Sequence, residues 1–227
     1  YAAKLMNLCD DYVRLPQHYT GYGDYSNKTV VPRAFDLGLA DEAFKRAGFI
    51  TRDANGILIR DGQRLSFDLT YSTDVHTPRL VVLKEEAKKA GLEINLRLLD
   101  GQNAYKNVME RQHEMAWWGW STGFRPAYWQ HYHSDNAGKS QTNNITNTKD
   151  SQLDEWIMSY RNATSESIRI SLSMKIQERL HQLAVLAPSY MVPYFRGAFW
   201  RWIRLPEKPG TKDGGGVFSL YRWDEET

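Results

Sequence analysis

Between positions 116 and 129 the chain reads Ala116-Trp117-Trp118-Gly119-Trp120-Ser121-Thr122-Gly123-Phe124-Arg125-Pro126-Ala127-Tyr128-Trp129. These residue types suit the binding of a small molecule. Indoles supply flat apolar walls, and Ser121, Thr122 and Arg125 supply a few directed hydrogen bonds. Successive side chains of a strand point to opposite faces. Trp117 is therefore expected in the core, and Trp118 or Trp120 toward a cleft.

Other candidate chemistry is weaker. His131, His133 and Asp135 alternate and would share one face of a strand, which could present a metal. The surrounding segment is polar and reads as loop, so solvated histidines are expected and no metal is assigned. Cys9 is the single thiol, which excludes an intrachain disulfide and a thiolate zinc cluster. No basic residue adjoins it to lower its pKa. Asp10-Asp11 and Glu85-Glu86 are adjacent carboxylates, but helical neighbours point about 100° apart and do not form an acid/base pair. Asp213-Gly214-Gly215-Gly216 lacks the Lys-Ser/Thr of a phosphate loop, and no Gly-x-Ser-x-Gly or His-Glu-x-x-His occurs. No catalytic residue and no cofactor is expected.

The bulk composition narrows the class. The 227 residues carry 29 basic and 27 acidic side chains for a net charge of +2. That balance makes no electrostatic case for nucleic acid or an anionic membrane surface. No run approaches the roughly 18 apolar residues of a membrane span. The aromatic content is the unusual number, with 8 Trp, 13 Tyr and 8 Phe. Large stiff rings serve either a core or a recognition surface. The chain opens at Tyr1 without an initiator Met and reads as a truncated or processed fragment.

The elements that must position the Trp-rich stretch are legible as pattern. Residues 1–14 look helical, with Leu5, Leu8 and Val13 apolar. Residues 15–35 hold Pro16, Gly21, Gly23 and Pro32 and read as extended loop. Asp36 caps a helix with the apolar stripe Leu39, Ala43, Phe44 and Ala47, ended by Gly48. A hairpin follows over 57–60 and 64–71, turned by Asp61-Gly62. Thr77-Pro78 opens a helix, Thr at its cap, that stops at Gly91. Leu92, Ile94, Leu96 and Leu98 alternate with polar residues as a half-buried strand. Tyr105, Val108 and Met109 suit a short helix, and 114–120 a further strand. Helices between successive strands predict an α/β sheet. Residues 121–149 read as one long polar loop, of the kind that is usually functional. Two helices follow, with faces Leu153, Trp156, Ile157, Tyr160 and Ile168, Leu172, Ile176, Leu180, Leu183. Pro188 is expected to end the second, before an aromatic strand over 190–202 and a surface tail from Leu205.

At these residues the chain resembles the family 5 extracellular solute-binding proteins, over roughly 35–205. Residues 36–49, with Ala40, Ala47 and Gly48, resemble the family's helix ending in Ala-Gly-aromatic. Residues 65–72 resemble the strand after its Asp-Gly turn. Ala90-Gly91-Leu92-Glu93-Ile94 resembles its approach to the next strand, and 115–120 the strand bearing its Trp. Asn143-Asn144 with Asp154 resembles its Asn-rich loop and following helix, and 188–194 its late hydrophobic-Pro-hydrophobic strand. Gly21-Tyr22-Gly23-Asp24-Tyr25-Ser26-Asn27 and Trp118-Gly119-Trp120-Ser121 are most similar to the microcin C and oligopeptide branch.

The resemblance implies an α/β, periplasmic-binding-protein-like (type II) C-terminal lobe with a mixed sheet and flanking helices. It implies three segments. Residues 1–35 are an N-terminal helix and extended loop, 36–185 the solute-binding lobe, and 186–227 a returning strand and tail that would complete a missing N-terminal lobe. It implies a periplasmic, non-catalytic receptor of an ABC importer, with a peptide or related small solute and the permease subunits as partners. The site implied by the strand ends and loop comprises Trp118, Trp120, Ser121, Thr122, Arg125, Asn143, Asn144, Tyr71 and Ser72. Peptide binders of this family often carry an Asp shortly after the Trp, paired with the ligand's ammonium. Here Ser121, Thr122 and Gly123 stand there, and Arg125 would favour an anionic group. A sugar or opine binder on the same scaffold stays open. So does a carbohydrate-active enzyme, which would need two facing carboxyls roughly 5 to 9.5 Å apart.

Overall fold

A computed structural model describes residues 13–14, 19–119, 123, 125–191, 203–204 and 222–223. Three strands form its central sheet: β5 (Ser66–Tyr71), β6 (Glu93–Leu98) and β7 (Met115–Ala116). The order is β6-β5-β7, and both pairings are parallel. Parallel neighbours need crossovers, and helices supply them. Thr77–Ala90 joins β5 to β6, and Gly101–Met109 joins β6 to β7. Because β6 and β7 flank β5 on opposite sides, two right-handed crossovers put the two helices on opposite faces.

The side-chain alternation of β5 obeys this. Leu69 and Tyr71 join Leu80 and Ile94 in one buried cluster, which Met115 and Trp117 border. Thr70, on the other face, meets Asn107 of the second crossover helix at 3.4 Å. There Val108, Met109 and Ile145 form a second cluster, with Ala116 and Trp118 against it.

A small antiparallel sheet stands beside this core: β2 (Thr51–Arg52), β3 (Leu58–Arg60) and β4 (Gln63–Arg64). Asp61 and Gly62 both take positive φ, 52° and 76°, the two-residue turn that matches strand twist. The expected single strand over 64–71 is thus two, broken at the buried Leu65. Gly91 ends the first crossover helix at φ 92°, and a Cβ there would stand 2.8 Å from Leu58 Cγ. Its N-terminus differs from expectation. A 3-10 turn (Asp74–His76) precedes it, and Thr77 is inside the helix, its hydroxyl 2.9 Å from that of Tyr71 rather than on a backbone N–H.

Helix α1 (Leu37–Arg46) is capped as predicted, Asp36 accepting from the Leu39 N–H at 3.0 Å. Its apolar stripe is not buried, however, and Leu39 is 61% exposed. The other helices are α2 (Thr77–Ala90), α3 (Gly101–Met109), α4 (Tyr128–Tyr132), α5 (Ser151–Asn162) and α6 (Glu166–Leu183). The stretch 121–149 is therefore not one polar loop, since α4 and a 3-10 turn (Ser134–Asn136) lie within it. Tyr128 and Tyr132 are buried there, a tyrosine pairing that apolar counting does not detect. α5 buries Leu153, Ile157 and Tyr160 as predicted. α6 buries Ile176 and Leu180 but leaves Ile168 exposed, and it stops at Ala184 in a left-handed conformation, before Pro188.

Val13–Arg14, expected at the end of a helix, forms strand β1 and pairs antiparallel with β8 (Tyr190–Met191). Pairing between segments so distant in the chain overrides local helical pattern. β9 (Ile203–Arg204) pairs with β10 (Arg222–Trp223). The remainder of the expected helix over 1–12 and most of the strand over 190–202 and of the tail lie outside the described residues.

One buried amide joins the helical layer to the segment around the Gly23–Tyr25 turn. Gln177 is 2% exposed. Its carbonyl accepts from the Asn27 N–H at 2.7 Å, and its NH2 donates to the Tyr25 carbonyl at 2.5 Å and the Tyr128 hydroxyl at 2.7 Å. Ser173 donates to the same Tyr25 carbonyl at 2.9 Å. Gln177→Leu keeps the volume but strands the Asn27 N–H, and should lower stability by about 2 kcal/mol. Urea denaturation monitored by tryptophan fluorescence measures it, and a loss below about 0.5 kcal/mol would show that the amide does not hold this junction.

Candidate functional site

The order β6-β5-β7 has a topological switch. The chain leaves β5 toward β6, then crosses back to β7, which makes the carboxyl ends of β5 and β7 a switch point, the place where open α/β sheets bind ligands. Ser72 and Thr73 follow β5 and are exposed. Trp117 and Trp118 follow β7. The Trp117 N–H donates to the Thr70 carbonyl at 2.8 Å, continuing the ladder one residue past β7. The strand expected over 114–120 is accordingly shorter, and Glu114 instead accepts from the Asp68 N–H at 2.7 Å through its side chain.

The two indoles separate as alternation predicts. Trp117 lies against the Leu69/Leu80 cluster, its ring 5.9 Å from that of His76 and 6.1 Å from that of Tyr190. Arg79 donates to the Tyr190 hydroxyl and stands 5.2 Å over its ring. Burial and the neighbouring Arg79 push the His76 pKa down, which favours the neutral imidazole. Trp118 takes the other face, against Val108, Met109 and Ile145, with its ring 6.2 Å from that of Tyr105.

Arg125 does not stand free. It donates to Glu166 Oε2 at 3.0 Å, and Arg169 donates to the same oxygen at 3.0 Å. Tyr25 donates to Glu166 Oε1 at 2.5 Å, and the Arg125 guanidinium lies 6.0 Å over the Tyr25 ring. The Tyr25 hydrogen bond, then the two arginines, hold the Glu166 carboxyl below the usual range. Glu166, from the first turn of α6, is thus shared by Arg125 and Arg169, a pairing that spacing along the sequence does not show.

Asn143 is exposed, whereas Asn144 is 0% exposed. The Asn144 amide donates to the carbonyls of His133 at 3.2 Å and Thr148 at 3.0 Å, and its oxygen accepts from the Thr148 N–H at 3.0 Å. Arg111, at φ 58°, ties the same loop by donating to the carbonyls of Met109, Thr142 and Asn144. Asn144 therefore shapes the loop instead of facing a solute. Tyr71 is buried in the sheet's core, its hydroxyl turned to Thr77. Trp120, Ser121 and Thr122 lie outside the described residues. His131 falls on α4 and His133 just after it, so they do not share a strand face. The His133 Nδ1 accepts from the Asp135 N–H at 3.2 Å, and among the described residues no three His, Cys, Asp or Glu side chains are grouped to hold a metal.

Ser72 and Trp118 stand at the carboxyl ends of the neighbouring strands β5 and β7, and Tyr105 of α3 has its ring beside that of Trp118. A ring on the second turn of the helix that follows β6 is a signal only once the crossover's direction is known.

Three parallel strands with a crossover helix on each face, beside a small antiparallel sheet, make an α/β fold of the periplasmic-binding-protein class. Residues 11–142 match the bacterial extracellular solute-binding proteins, family 5 Middle, and the chain belongs to that family. No curated protein matches the chain. Among solved structures it is similar to the periplasmic binding protein DppA from Helicobacter pylori in complex with the peptide STSA, with TM-score 0.77 and 15% identity over 99% of this chain and 42% of that one. It is similar also to the oligopeptide-binding protein AppA from Bacillus subtilis in complex with a nonapeptide, with TM-score 0.74 and 17% identity over 83% of this chain and 39% of that one. NikA from Brucella suis in complex with Fe(III)-EDTA shares TM-score 0.71 and 22% identity over 85% of this chain and 40% of that one. At these identities the likeness is one of fold. The chain spans about two fifths of the length of these structures. Among the described residues no helix is long and apolar enough to cross a membrane.

Asn144→Ala removes four loop hydrogen bonds, counting that from the Thr146 hydroxyl to Asn144 Oδ1 at 3.3 Å. The Thr148 amide should then exchange its hydrogen at least about tenfold faster, as one lost buried bond of 1–3 kcal/mol implies. Hydrogen exchange read by NMR measures it, and unchanged protection would show that the loop is held by Arg111 alone.

Proposed function

We propose that this chain supplies a solute-binding lobe of an ABC importer's substrate-binding protein. It captures an oligopeptide or related solute in the periplasm and hands it to the permease subunits without chemical change. The carrying observation is that the family match over 11–142 spans β5, β6 and β7, whose carboxyl ends form the switch-point crevice. The bound peptides of the DppA and AppA structures favour a peptide, and the Fe(III)-EDTA of the NikA structure shows that this fold also accommodates other solutes.

In this reading residues 36–185 are the lobe. Residues 1–35 and 186–227 lead toward a second lobe, which would close over the solute about hinges. The pairing of β1 with β8 supports it, since it sets those two segments side by side. So does the share of the solved structures' length that the chain covers. Trp118, Trp120, Ser121, Thr122, Ser72 and Asn143 are the proposed contacts. Arg125 is a positioning residue, through Glu166, for the segment it follows.

Mass spectrometry of solutes co-purified with the protein in its full natural length should find oligopeptides. Trp118→Ala should weaken calorimetric binding of the recovered peptide roughly 10- to 100-fold, the worth of an aromatic wall of about 1.5–3 kcal/mol. Trp118→Phe should recover most of it, with circular dichroism reporting the fold. Parental affinity in a folded Trp118→Ala variant would move the crevice elsewhere on the lobe.

A further inference from the structure

The pairing of β1 with β8 sets Val13 beside Met191 and Arg14 beside Tyr190, and extends no further. So short a ladder does not hold its own place, and side-chain packing must fasten it. Tyr190 supplies such a contact. Its ring lies 6.1 Å from that of Trp117, with an interplanar angle of 37°. Arg79, in the first turn of α2, donates to its hydroxyl and stands 5.2 Å from the centre of its ring. Trp117 is packed against the Leu69/Leu80 cluster, and its N–H continues the ladder beyond β7. The backbone of Tyr190 thus belongs to the strand pair, and its side chain to the sheet of the lobe.

Both paired segments adjoin the helical layer. Tyr19, a few residues after Arg14, is buried in the cluster that holds Tyr128 and Ile157. Leu186, a few residues before Tyr190, packs against the same cluster, and Pro188 restricts the short connection between them. In the receptor reading the β1–β8 pair is therefore the stem at which both segments leave the lobe. The stem ends on a residue next to the proposed site, since Trp117 and Trp118 are consecutive and face opposite sides of the sheet. The peptide bond between them is planar and stiff, so a shift of the backbone at Trp118 is carried to Trp117.

We propose that Tyr190 is a positioning residue for solute capture: it pins the β1–β8 stem to Trp117 and so sets the angle at which the second lobe approaches the switch point. The inference rests on the receptor reading above. Hinge motion is absorbed by a few residues at the ends of packed elements, so the place where the stem is fastened fixes where the hinge begins. Without the ring, the stem keeps its backbone pairing and loses its tie to the sheet, and the lobes sample a wider range of angles.

The test uses the protein in its full natural length and free of solute, which removes any dependence on the solute's identity. Hydrogen exchange read by mass spectrometry follows the stem, and small-angle X-ray scattering follows the lobes. In Tyr190→Ala the amides of β1 and β8 should exchange at least about tenfold faster, while those of β5 and β6 keep the parent's rates. The radius of gyration should rise and the pair-distance distribution broaden. Tyr190→Phe keeps the ring on Trp117 and should scatter as the parent does. Unchanged exchange in Tyr190→Ala overturns the pin. Acceleration in β5 and β6 as well makes Tyr190 an ordinary packing residue and overturns it too. Faster exchange at the stem with parental scattering overturns the control of lobe angle, and a Tyr190→Phe variant that behaves as Tyr190→Ala overturns the ring contact as its cause. Scattering of the parent as one compact body without a second lobe overturns the receptor reading instead, and the exchange rates then decide the pin by themselves.

Discussion

A crossover between parallel strands is almost always right-handed, and from that constraint the arrangement of this chain follows. The chain leaves β5 for β6 on one side and then, by way of α3, crosses back past β5 to β7 on the other. Each crossover must lay its helix on its own face. The face with Leu69, Tyr71 and Trp117 then belongs to α2, and that with Thr70, Ala116 and Trp118 to α3. The reversal of direction after β6 also makes the ends of β5 and β7 a switch point, where open α/β sheets bind ligands. Neighbouring indoles are thereby given different surroundings: Trp117 lies beside Tyr190 of β8, while Trp118 lies beside Tyr105 of α3.

The helical layer is held by a different principle. Its core is lined with Tyr19, Tyr25, Tyr128, Tyr132 and Tyr160, whose rings pack at centroid distances of 4.8 to 6.4 Å. Burying tyrosine requires that its hydroxyl find a partner. Ser173 and Gln177 serve Tyr128, the Pro126 carbonyl serves Tyr160, and Glu166 serves Tyr25. Burial pushes the pKa values of Tyr128, Tyr132 and Tyr160 upward, so these hydroxyls stay protonated, and that of Tyr160 donates to the Pro126 carbonyl. The same network reaches the rim's approach, because Glu166 also holds Arg125, and the Gly123 N–H donates to the Tyr22 hydroxyl at 3.2 Å. What looks from sequence like a free cation is therefore an ion-pair partner of Glu166.

Much of this was legible in the sequence because it is local. The Asp36 cap, the Asp61-Gly62 turn, Gly91 as helix stop, the alternation from Glu93 to Leu98 and the buried stripe of α5 each depend on residues within a few positions of one another. Periodicity and backbone sterics act at that range, so residue type carries the answer. The opposite facing of Trp117 and Trp118 is of the same kind. Family resemblance rested on the order of these local signals, and the match over 11–142 agrees with it.

Only the tertiary structure decided what depends on distant pairing. Val13–Arg14 is a strand because Tyr190–Met191 lies beside it. Asn144 is buried because Arg111, His133 and Thr148 close around it, though an asparagine in a polar stretch reads as a surface contact. Arg125 is ion-paired because Glu166 is brought to it from α6, and Tyr105 meets Trp118 because α3 packs on the face of the sheet that carries Trp118. Sequence specifies what each residue can do over one helical turn or one hairpin. Which of those capacities is used up inside the fold, and which is left facing the crevice, is set by contacts whose partners are tens of residues away.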